Sequence, residues 1–175
     1  RCVYCLPQDG GSCTRQTEPL TLQERLRICS AAARLGMHKF RVTGGEPLLY
    51  PELLELIAGL KAISTTQWIG LTTNGIGLAE KAADFRRAGL DGVNISLDTL
   101  SPEKFLQITG CDAFGQVYRG IQTAQEFLQV KINCVAIQEW NGDELTKIAG
   151  IAKENAICVR FIELMPIGQG ARFTA

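Results

Sequence analysis

The sequence carries no net charge, because 18 lysine and arginine residues balance 18 aspartate and glutamate residues over 175 positions. A neutral chain has no general attraction to nucleic acid or to an anionic membrane surface. No stretch of it resembles a signal peptide, and no apolar run approaches the roughly 20 residues that a membrane span requires. We therefore expect a soluble intracellular domain with neither nucleic acid nor a membrane as a partner.

The cysteines lack the arrangement of a disulfide framework, because seven is an odd number. A second CxxC motif is also missing, so Cys2-Val3-Tyr4-Cys5 alone does not supply the four ligands that structural zinc normally takes. By itself the motif leaves open a redox dithiol, half of a zinc site and half of an iron–sulfur site. Pro7 and the glycines after it predict a loop, which disfavours a thioredoxin-like dithiol. Three further cysteines fall in helix or strand patterns and are predicted to be small hydrophobic residues: Cys29, Cys134 and Cys158.

The most informative stretch is KFRVTGGEP at residues 39–47. A strand that alternates apolar and charged residues ends at Gly44 and Gly45, which allow a sharp turn and the close approach of a ligand to the backbone. Pro47 restricts Glu46 to extended geometry. The sequence thus predicts a ligand cradle at the end of a strand.

Strand and helix patterns alternate along the chain with short connections, which predicts parallel β/α units. A capping box formed by Thr21 and Glu24 marks the start of the first helix. Five strands are predicted, at residues 39–43, 68–72, 92–97, 131–137 and 158–162. Each has one apolar and one polar face, whereas the strands of a doubly wound sheet are apolar on both. The predicted fold class is therefore α/β, an incomplete TIM-like β/α barrel with a polar lumen and its ligand at the carboxyl ends of the strands.

Four cations are predicted to point into that lumen: Lys39, Arg41, Lys131 and Arg160. Buried cations are costly unless they meet anions. They indicate an anionic, phosphorylated substrate. The alternative is internal pairing with the carboxylates of Glu46, Asp98 and Glu163.

CVYC, TGGEP and the strand alternation together resemble the radical S-adenosylmethionine (SAM) superfamily. In that superfamily, three cysteines spaced CxxxCxxC hold a [4Fe–4S] cluster, and SAM binds its fourth iron. Five blocks narrow the resemblance to the GTP 3′,8-cyclase family of molybdenum cofactor biosynthesis, the MoaA type: RVTGGEPLL, GLTTNG, NISLDTL, VKINCV and RFIELMP, in that order. The resemblance covers nearly the whole chain.

The resemblance implies that Cys2 and Cys5 are the second and third cluster ligands. Positions that contact SAM in the family fall on Tyr4, Gly44, Gly45, Glu46, Ser96 and Met165. Positions that contact GTP fall on Arg41, Thr72 and Lys131, with Lys39 and Arg160 as further phosphate-binding candidates. No catalytic residue is assigned, because the cofactor carries the radical chemistry.

The implied activity is that of a radical SAM lyase. The reduced cluster gives one electron to the sulfonium, and the 5′-deoxyadenosyl radical then takes the 3′-hydrogen of the GTP ribose. The carbon radical attacks guanine C8 to give (8S)-3′,8-cyclo-7,8-dihydroguanosine 5′-triphosphate. The resemblance further implies an electron donor of the flavodoxin or ferredoxin type and a cytoplasmic location, or the mitochondrial matrix in a eukaryote. It leaves a homodimer open.

The chain departs from the family pattern at both ends. The first cluster cysteine and first barrel strand would precede Arg1, and a part with the cysteines of a second [4Fe–4S] cluster would follow Ala175. We expect residues 1–175 to be a single radical SAM core domain, a fragment that does not complete turnover alone. Two alternatives stay open: another radical SAM enzyme, such as a peptide-modifying one, and a non-catalytic nucleotide-binding fragment.

Overall fold

The computed structural model describes residues 2–5, 19–166 and 168–173, in which helices alternate with strands. The strands are β1 Lys39–Val42, β2 Trp68–Thr73, β3 Gly92–Ser96, β4 Gln129–Ala136 and β5 Ile157–Glu163. The α-helices are α1 Leu22–Arg34, α2 Leu53–Ala62, α3 Ala82–Ala88, α4 Pro102–Thr109, α5 Phe114–Ala124, α6 Gln138–Asn141 and α7 Leu145–Glu154. Short 3₁₀ helices span Pro47–Leu49 and Gly168–Arg172. All five predicted strands are confirmed, whereas the loop predicted around Pro7 lies outside the described residues.

The strands are hydrogen-bonded to one another in the order β1-β2-β3-β4-β5. β1 is parallel to β2, with Arg41 opposite Gly70, and β2 is parallel to β3, with Thr72 opposite Asn94. Neighbouring parallel strands joined through helices are what the predicted β/α units require. None of the helices in the described ranges is long and apolar enough to cross a bilayer.

The chain divides into two compact units. A larger unit comprises Thr17–Ile95 and Gln116–Val130, and a smaller unit comprises Arg1–Gln16, Ser96–Gly115 and Lys131–Ala175. β1, β2 and most of β3 therefore belong to the larger unit, and β5 and most of β4 belong to the smaller one. The residues that the sequence singles out are divided between the two.

The core of the larger unit follows the predicted strand alternation. Ile69 and Leu71 of β2 are fully buried, and Val93 and Ile95 of β3 are nearly so. α2 buries one face, formed by Leu53, Leu56, Ile57 and Leu60. This spacing of three and four residues is the mark of one helix face turned to a core. The alternate residues of the same strands lie on the opposite face of the sheet.

α1 begins where the capping box predicts. The Glu24 N–H donates to Thr21 Oγ1 at 3.3 Å, and the Thr21 N–H donates to Glu24 Oε2 at 2.8 Å. Two amides that a helix start leaves without intrahelical partners are thereby satisfied. The chain then turns into β1 through Gly36, whose φ of +93° lies in the left-handed region that glycine adopts without strain.

The smaller unit confirms one predicted facing pattern and corrects another. In β4, Ile132 and Cys134 are fully buried, as predicted. Burial, and then the nearby charges of Asp98 and Glu144, raise the pKa of the Cys134 thiol to about 12. In β5 the predicted apolar face is wrong at Phe161, which is 45% exposed, and Cys158 is also exposed rather than a core residue. β5 is the last strand in the sheet order, so a strand neighbours it on one side only.

A single buried amide ties together the loops that follow β3 and β4. Asn141 is fully buried, and its Nδ2 donates to the carbonyl oxygens of Asp98 at 2.7 Å and Val135 at 2.8 Å. Its Oδ1 accepts the Ile137 N–H at 2.8 Å. Buried backbone groups need such partners because an unmade hydrogen bond costs their desolvation. Asn141 therefore fixes the carboxyl ends of two strands of the smaller unit.

Glu144 holds the residues after Asp98 in a similar way. It is 6% exposed, and its Oε2 accepts the Thr99 hydroxyl and the Leu100 N–H, both at 2.7 Å. The Lys104 ammonium lies 2.9 Å from its Oε1. Burial acts to raise the pKa of Glu144, but Lys104 and these hydrogen bonds outweigh it, and the pKa is lowered. A charged carboxylate thus anchors this loop.

Replacing Asn141 with leucine keeps its approximate size and leaves two buried backbone groups and one half-buried backbone group without their partner. We expect the free energy of unfolding to fall by about 2–4 kcal/mol, since each lost buried hydrogen bond carries a desolvation cost. Urea unfolding measures the change. The matched control is Asn155→Leu, because Asn155 is exposed and its Nδ2 donates to one carbonyl, that of Ile151. Similar losses for both variants would contradict the role assigned to Asn141.

Candidate functional site

The Glu46 carboxylate joins the end of β1 to the end of β2 in the larger unit. Its Oε1 accepts the Thr73 hydroxyl at 2.6 Å and the Leu48 N–H at 3.0 Å, and its Oε2 accepts the Asn74 N–H at 2.8 Å. The backbone of Glu46 is extended, as the following proline requires (φ −129°, ψ 109°). The GGEP segment is therefore fixed by its own carboxylate. Among the described residues Oε2 has one donor, which leaves an acceptor position for another.

Gly44 and Gly45 leave open space beside the backbone. The chain bends at both residues, as predicted, but neither has a positive φ. A Cβ built on either glycine meets no described atom within 4 Å. Backbone conformation therefore does not demand glycine here. The missing side chains instead expose main-chain groups, which is the condition for close approach of a ligand.

Thr73 holds the Glu46 carboxylate in place, a role that the strand pattern hides. It is 3% exposed and shares the apolar face of β2 with Leu71. Its hydroxyl donates to Glu46 and accepts the Gly75 N–H at 3.1 Å. A polar residue at an apolar strand position directly before Asn-Gly is the sequence signal that could have found it.

Arg41 and Thr72, both predicted to contact the substrate, meet across β1 and β2. Arg41 Nη1 donates to Thr72 Oγ1 at 3.4 Å. The guanidinium carbon lies 5.0 Å from the centre of the Trp68 ring, within the range of a cation–π contact. The ring covers Gly70, where a Cβ would lie 2.0 Å from Trp68 Cη2. Arg41 thus rests on an aromatic platform that sequence reasoning missed, beside the exposed Lys39.

The cysteine turn, residues 2–5, is tied into the smaller unit. The Cys5 N–H donates to the Cys2 carbonyl at 3.0 Å, and the Val3 N–H donates to the Ile108 carbonyl at 2.9 Å. Tyr4 Oη donates to Asp98 Oδ2 at 2.7 Å. Cys2 is half-buried and Cys5 exposed, and both thiols are free. Two thiols in one turn suit an iron–sulfur or other soft-metal site, although no group of three or more metal-binding side chains exists among the described residues.

Asp98 connects this turn to the end of β4. While Oδ2 takes the Tyr4 hydroxyl, Oδ1 accepts the Val135 N–H at 2.8 Å. Burial raises the pKa of Asp98, and the hydrogen bonds from Tyr4 and Val135 oppose that rise. Burial followed by the charge of Asp98 raises the pKa of both Tyr4 and Cys2. The sequence left Asp98 open as an alternative ion-pair partner for a lumen cation, whereas in the structure its carboxylate accepts a hydroxyl and a backbone N–H.

The remaining predicted residues of the smaller unit lie apart from these hydrogen bonds. Ser96 and Arg160 are exposed, Lys131 is half-buried, and Met165 is 68% exposed. Hydrogen bonds thus connect Tyr4 to Asp98 in the smaller unit, and in the larger unit they connect Arg41 to Thr72 and Glu46 to Thr73. Glu46 and Asp98 were the alternative partners for the predicted cations. In the structure both carboxylates instead accept hydrogen bonds from a hydroxyl group and from backbone N–H groups.

Known sequences show what the chain is similar to. The sequence-family model of the Radical SAM superfamily matches residues 1–151 of this chain. A GTP 3′,8-cyclase of Desulforamulus reducens is 45% identical over 171 residues, 97% of this chain and 53% of that protein. Molybdenum cofactor biosynthesis protein 1 of Homo sapiens is 41% identical over 168 residues, 95% of this chain and 26% of that protein. The chain spans about half the length of the bacterial relatives it matches.

Solved structures agree on the fold. Streptococcus suis SuiB bound to S-adenosylmethionine matches with a TM-score of 0.76 at 17% identity, over 99% of this chain and 40% of that one. anSMEcpe with bound AdoMet matches with a TM-score of 0.71 at 19% identity, over 94% of this chain and 46% of that one. The likeness confirms the predicted fold class, an incomplete β/α barrel.

Replacing Thr73 with valine removes the hydroxyl that links Glu46 to Gly75 while nearly preserving volume. We expect the free energy of unfolding to fall by about 1–3 kcal/mol, because both partners lose a buried hydrogen bond. The same substitution at Thr66 is the control, since the buried Thr66 Oγ1 has no hydrogen-bond partner among the described residues. Thr66→Val should leave stability unchanged or raise it. Equal losses in denaturant unfolding would assign the cost to packing instead.

Proposed function

We propose, from the premise that this chain belongs to the radical SAM superfamily, that it serves the SAM-dependent cyclisation of GTP. The product would be (8S)-3′,8-cyclo-7,8-dihydroguanosine 5′-triphosphate, in the first step of molybdenum cofactor biosynthesis. The observation that carries the proposal is the contact of Arg41 with Thr72, two residues assigned to GTP independently of the structure. Relatives named GTP 3′,8-cyclase, at 42–45% identity, support the choice within the superfamily.

The residues present fit the cofactors that this activity implies. Cys2 and Cys5 offer two free thiols in one hydrogen-bonded turn, as two cluster ligands of a [4Fe–4S] site require. The open space beside Gly44 and Gly45 suits the approach of SAM to the backbone. When bound, the cluster and SAM supply one-electron cleavage of the sulfonium and a radical that abstracts hydrogen. We assign the second [4Fe–4S] cluster to residues outside this chain.

The chain's own residues bind and orient the two small molecules. A guanidinium can donate planar, bidentate hydrogen bonds suited to phosphate, and the Thr72 hydroxyl lies beside that of Arg41. Further cationic partners for the triphosphate are Lys39, Lys131 and Arg160. The SAM contacts proposed from the resemblance are Tyr4, Gly44, Gly45, Glu46, Ser96 and Met165. The free acceptor position of Glu46 Oε2 suits the SAM ammonium group, while Asp98 holds Tyr4 and with it the cysteine turn.

The surrounding proposals follow from the same activity. Residues 1–175 form one radical SAM core domain, a flavodoxin- or ferredoxin-type protein donates the electron, and the location is cytoplasmic, or the mitochondrial matrix in a eukaryote. A homodimer stays open.

The second candidate is a peptide-modifying radical SAM enzyme, favoured by the fold shared with SuiB bound to precursor peptide SuiA at a TM-score of 0.74. A peptide substrate gives no reason for Arg41 to be held beside Thr72.

Anaerobic reconstitution with iron and sulfide, followed by SAM, dithionite and GTP deuterated at C3′, tests the proposal on the protein spanning the length of its relatives. Formation of deuterated 5′-deoxyadenosine with loss of GTP supports it. Formation of 5′-deoxyadenosine without deuterium in the presence of the labelled GTP, or SAM cleavage that peptides but not GTP stimulate, overturns it. The 175-residue chain by itself should not complete turnover, since it supplies Cys2 and Cys5 as two of three cluster thiolates.

Arg41→Ala removes a guanidinium held on Trp68 beside Thr72. We expect GTP to bind about tenfold to a hundredfold more weakly, the range for losing a charge-assisted hydrogen bond, while dithionite-driven SAM cleavage persists. Equilibrium dialysis measures the affinity. Arg87→Ala is the control, because Arg87 is exposed and pairs with Asp84 one helical turn away. Unchanged GTP affinity in Arg41→Ala would remove Arg41 from the substrate site.

Gly45→Val tests the open space beside the GGEP backbone. The variant should fold with normal stability, because a Cβ there meets no described atom and φ is not positive. SAM binding should weaken by about tenfold or more, since the added side chain occupies the approach to the main chain. Gly150→Ala is the control, at a glycine in α7 that is equally open. Unaltered SAM affinity in a folded Gly45→Val protein would contradict the proposed approach.

A further inference from the structure

Two paired glycines form a trough in the polar face of the sheet in the larger unit. Gly70 of β2 is paired with Gly92 of β3, and Arg41 of β1 is paired with Gly70. The three residues form one row across neighbouring strands, and paired residues project to the same face of a sheet. Both glycines are buried although neither has a side chain. The side chain of another residue therefore covers them.

The indole of Trp68 lies in this trough. Trp68 precedes Gly70 by two residues, so both lie on the same face of β2. A Cβ built on Gly70 would collide with the ring, and one built on Gly92 would lie 3.1 Å from Trp68 Cζ2. The ring therefore extends from its own strand toward the next one and is half-buried against the backbone of both. The absence of a side chain at Gly70 is what lets the indole lie flat on the sheet.

The guanidinium of Arg41 is held from two directions along β2. Its carbon lies 5.0 Å from the centre of the Trp68 ring, and its Nη1 donates to Thr72 Oγ1 at 3.4 Å. Trp68 and Thr72 stand two residues before and two residues after Gly70, the register partner of Arg41. Together the two contacts restrict a long side chain that would otherwise occupy many rotamers.

The contact with the ring leaves the hydrogen-bond donors of the arginine available. A cation–π contact is made with the face of an aromatic ring and uses no N–H group, so it orients a guanidinium without occupying the donors that bind phosphate. An arginine that is ordered before the ligand arrives also loses less conformational entropy on binding. Thr72 lies toward the carboxyl end of β2, where barrel sites bind ligands, and Trp68 lies toward the amino end. The indole therefore supports Arg41 from the side away from the ligand.

We propose that Trp68 is a positioning residue for phosphate recognition, because its indole, seated on Gly70 and Gly92, holds the Arg41 guanidinium beside Thr72 in the orientation that binds the substrate triphosphate. This inference rests on the proposed function and adds to it the residue that orders the arginine of the phosphate site. Its signature is a loss of GTP affinity that requires Arg41 to be present. A merely structural role for Trp68 would weaken SAM binding as well, or would add to the loss caused by removing Arg41.

The test is a double-mutant cycle of Trp68→Leu with Arg41→Ala, in the reconstituted protein that spans the length of its relatives. Equilibrium dialysis measures GTP binding, with SAM binding measured alongside. We expect Trp68→Leu to bind GTP about threefold to tenfold more weakly, the effect of one cation–π contact, and to bind SAM normally. In the Arg41→Ala background, Trp68→Leu should cause no further loss. Trp68→Phe keeps an aromatic face and should retain most of the GTP affinity.

Tyr50→Leu is the matched control, because the guanidinium carbon of Arg25 lies 5.1 Å from the centre of the Tyr50 ring in the same unit. It removes a comparable contact from an arginine that is not assigned to a ligand, and it should leave GTP affinity unchanged. If Trp68→Leu fails to fold, Trp68→Met replaces it, since methionine fills the trough with a flexible side chain that has no aromatic face.

Three results would overturn the inference: equal GTP losses in Tyr50→Leu and Trp68→Leu, an undiminished further loss from Trp68→Leu in the Arg41→Ala background, or a Trp68→Phe protein that binds GTP as weakly as Trp68→Leu. A loss in Arg41→Ala without one in Trp68→Leu overturns the inference and leaves the proposed function standing. Unchanged GTP affinity in Arg41→Ala instead removes Arg41 from the substrate site, and with it the observation that carries the proposed function.

Discussion

The structure depends on carboxylates that take over backbone hydrogen bonding where the strands stop. A strand that ends inside a compact unit leaves N–H groups without ladder partners, and an ionised carboxylate is the strongest available acceptor. Glu46 does this after β1 and β2, Asp98 between the cysteine turn and β4, and Glu144 for the residues after Asp98. The loops that would meet a ligand are thus held from within each unit before any ligand binds.

Such preorganisation affects what binding has to accomplish. A loop that is already ordered does not lose conformational entropy when a ligand arrives. The Tyr4 hydroxyl bonded to Asp98 fixes the turn between Cys2 and Cys5. In the larger unit, the three donors to Glu46 fix the backbone beside Gly44 and Gly45. Positioning of this kind is the main contribution that a protein makes when a cofactor supplies the chemistry.

Local sequence signals predicted most of the fold and part of the site. The Thr21 and Glu24 capping box and the extended Glu46 before Pro47 each involve residues within four positions, so the pattern contains the whole interaction. The linkage of Asn141 to Asp98 spans 43 positions, and no periodicity encodes it. The buried face predicted for β5 was wrong because alternation reports the two faces of a strand but not whether either face is covered. The resemblance identified candidate site residues, but it did not reveal the hydrogen bonds and packing that hold them in place.

Gly70 shows how a residue can determine the position of a charged group, here the Arg41 guanidinium, without touching a ligand itself. Any side chain there would collide with the Trp68 ring, which would then have to rotate away from the strand. The guanidinium of Arg41 would lose its platform in the same movement. Positions 41, 68 and 70 are therefore expected to vary together among related sequences. A change at the glycine would be tolerated chiefly where the tryptophan or the arginine has already been replaced.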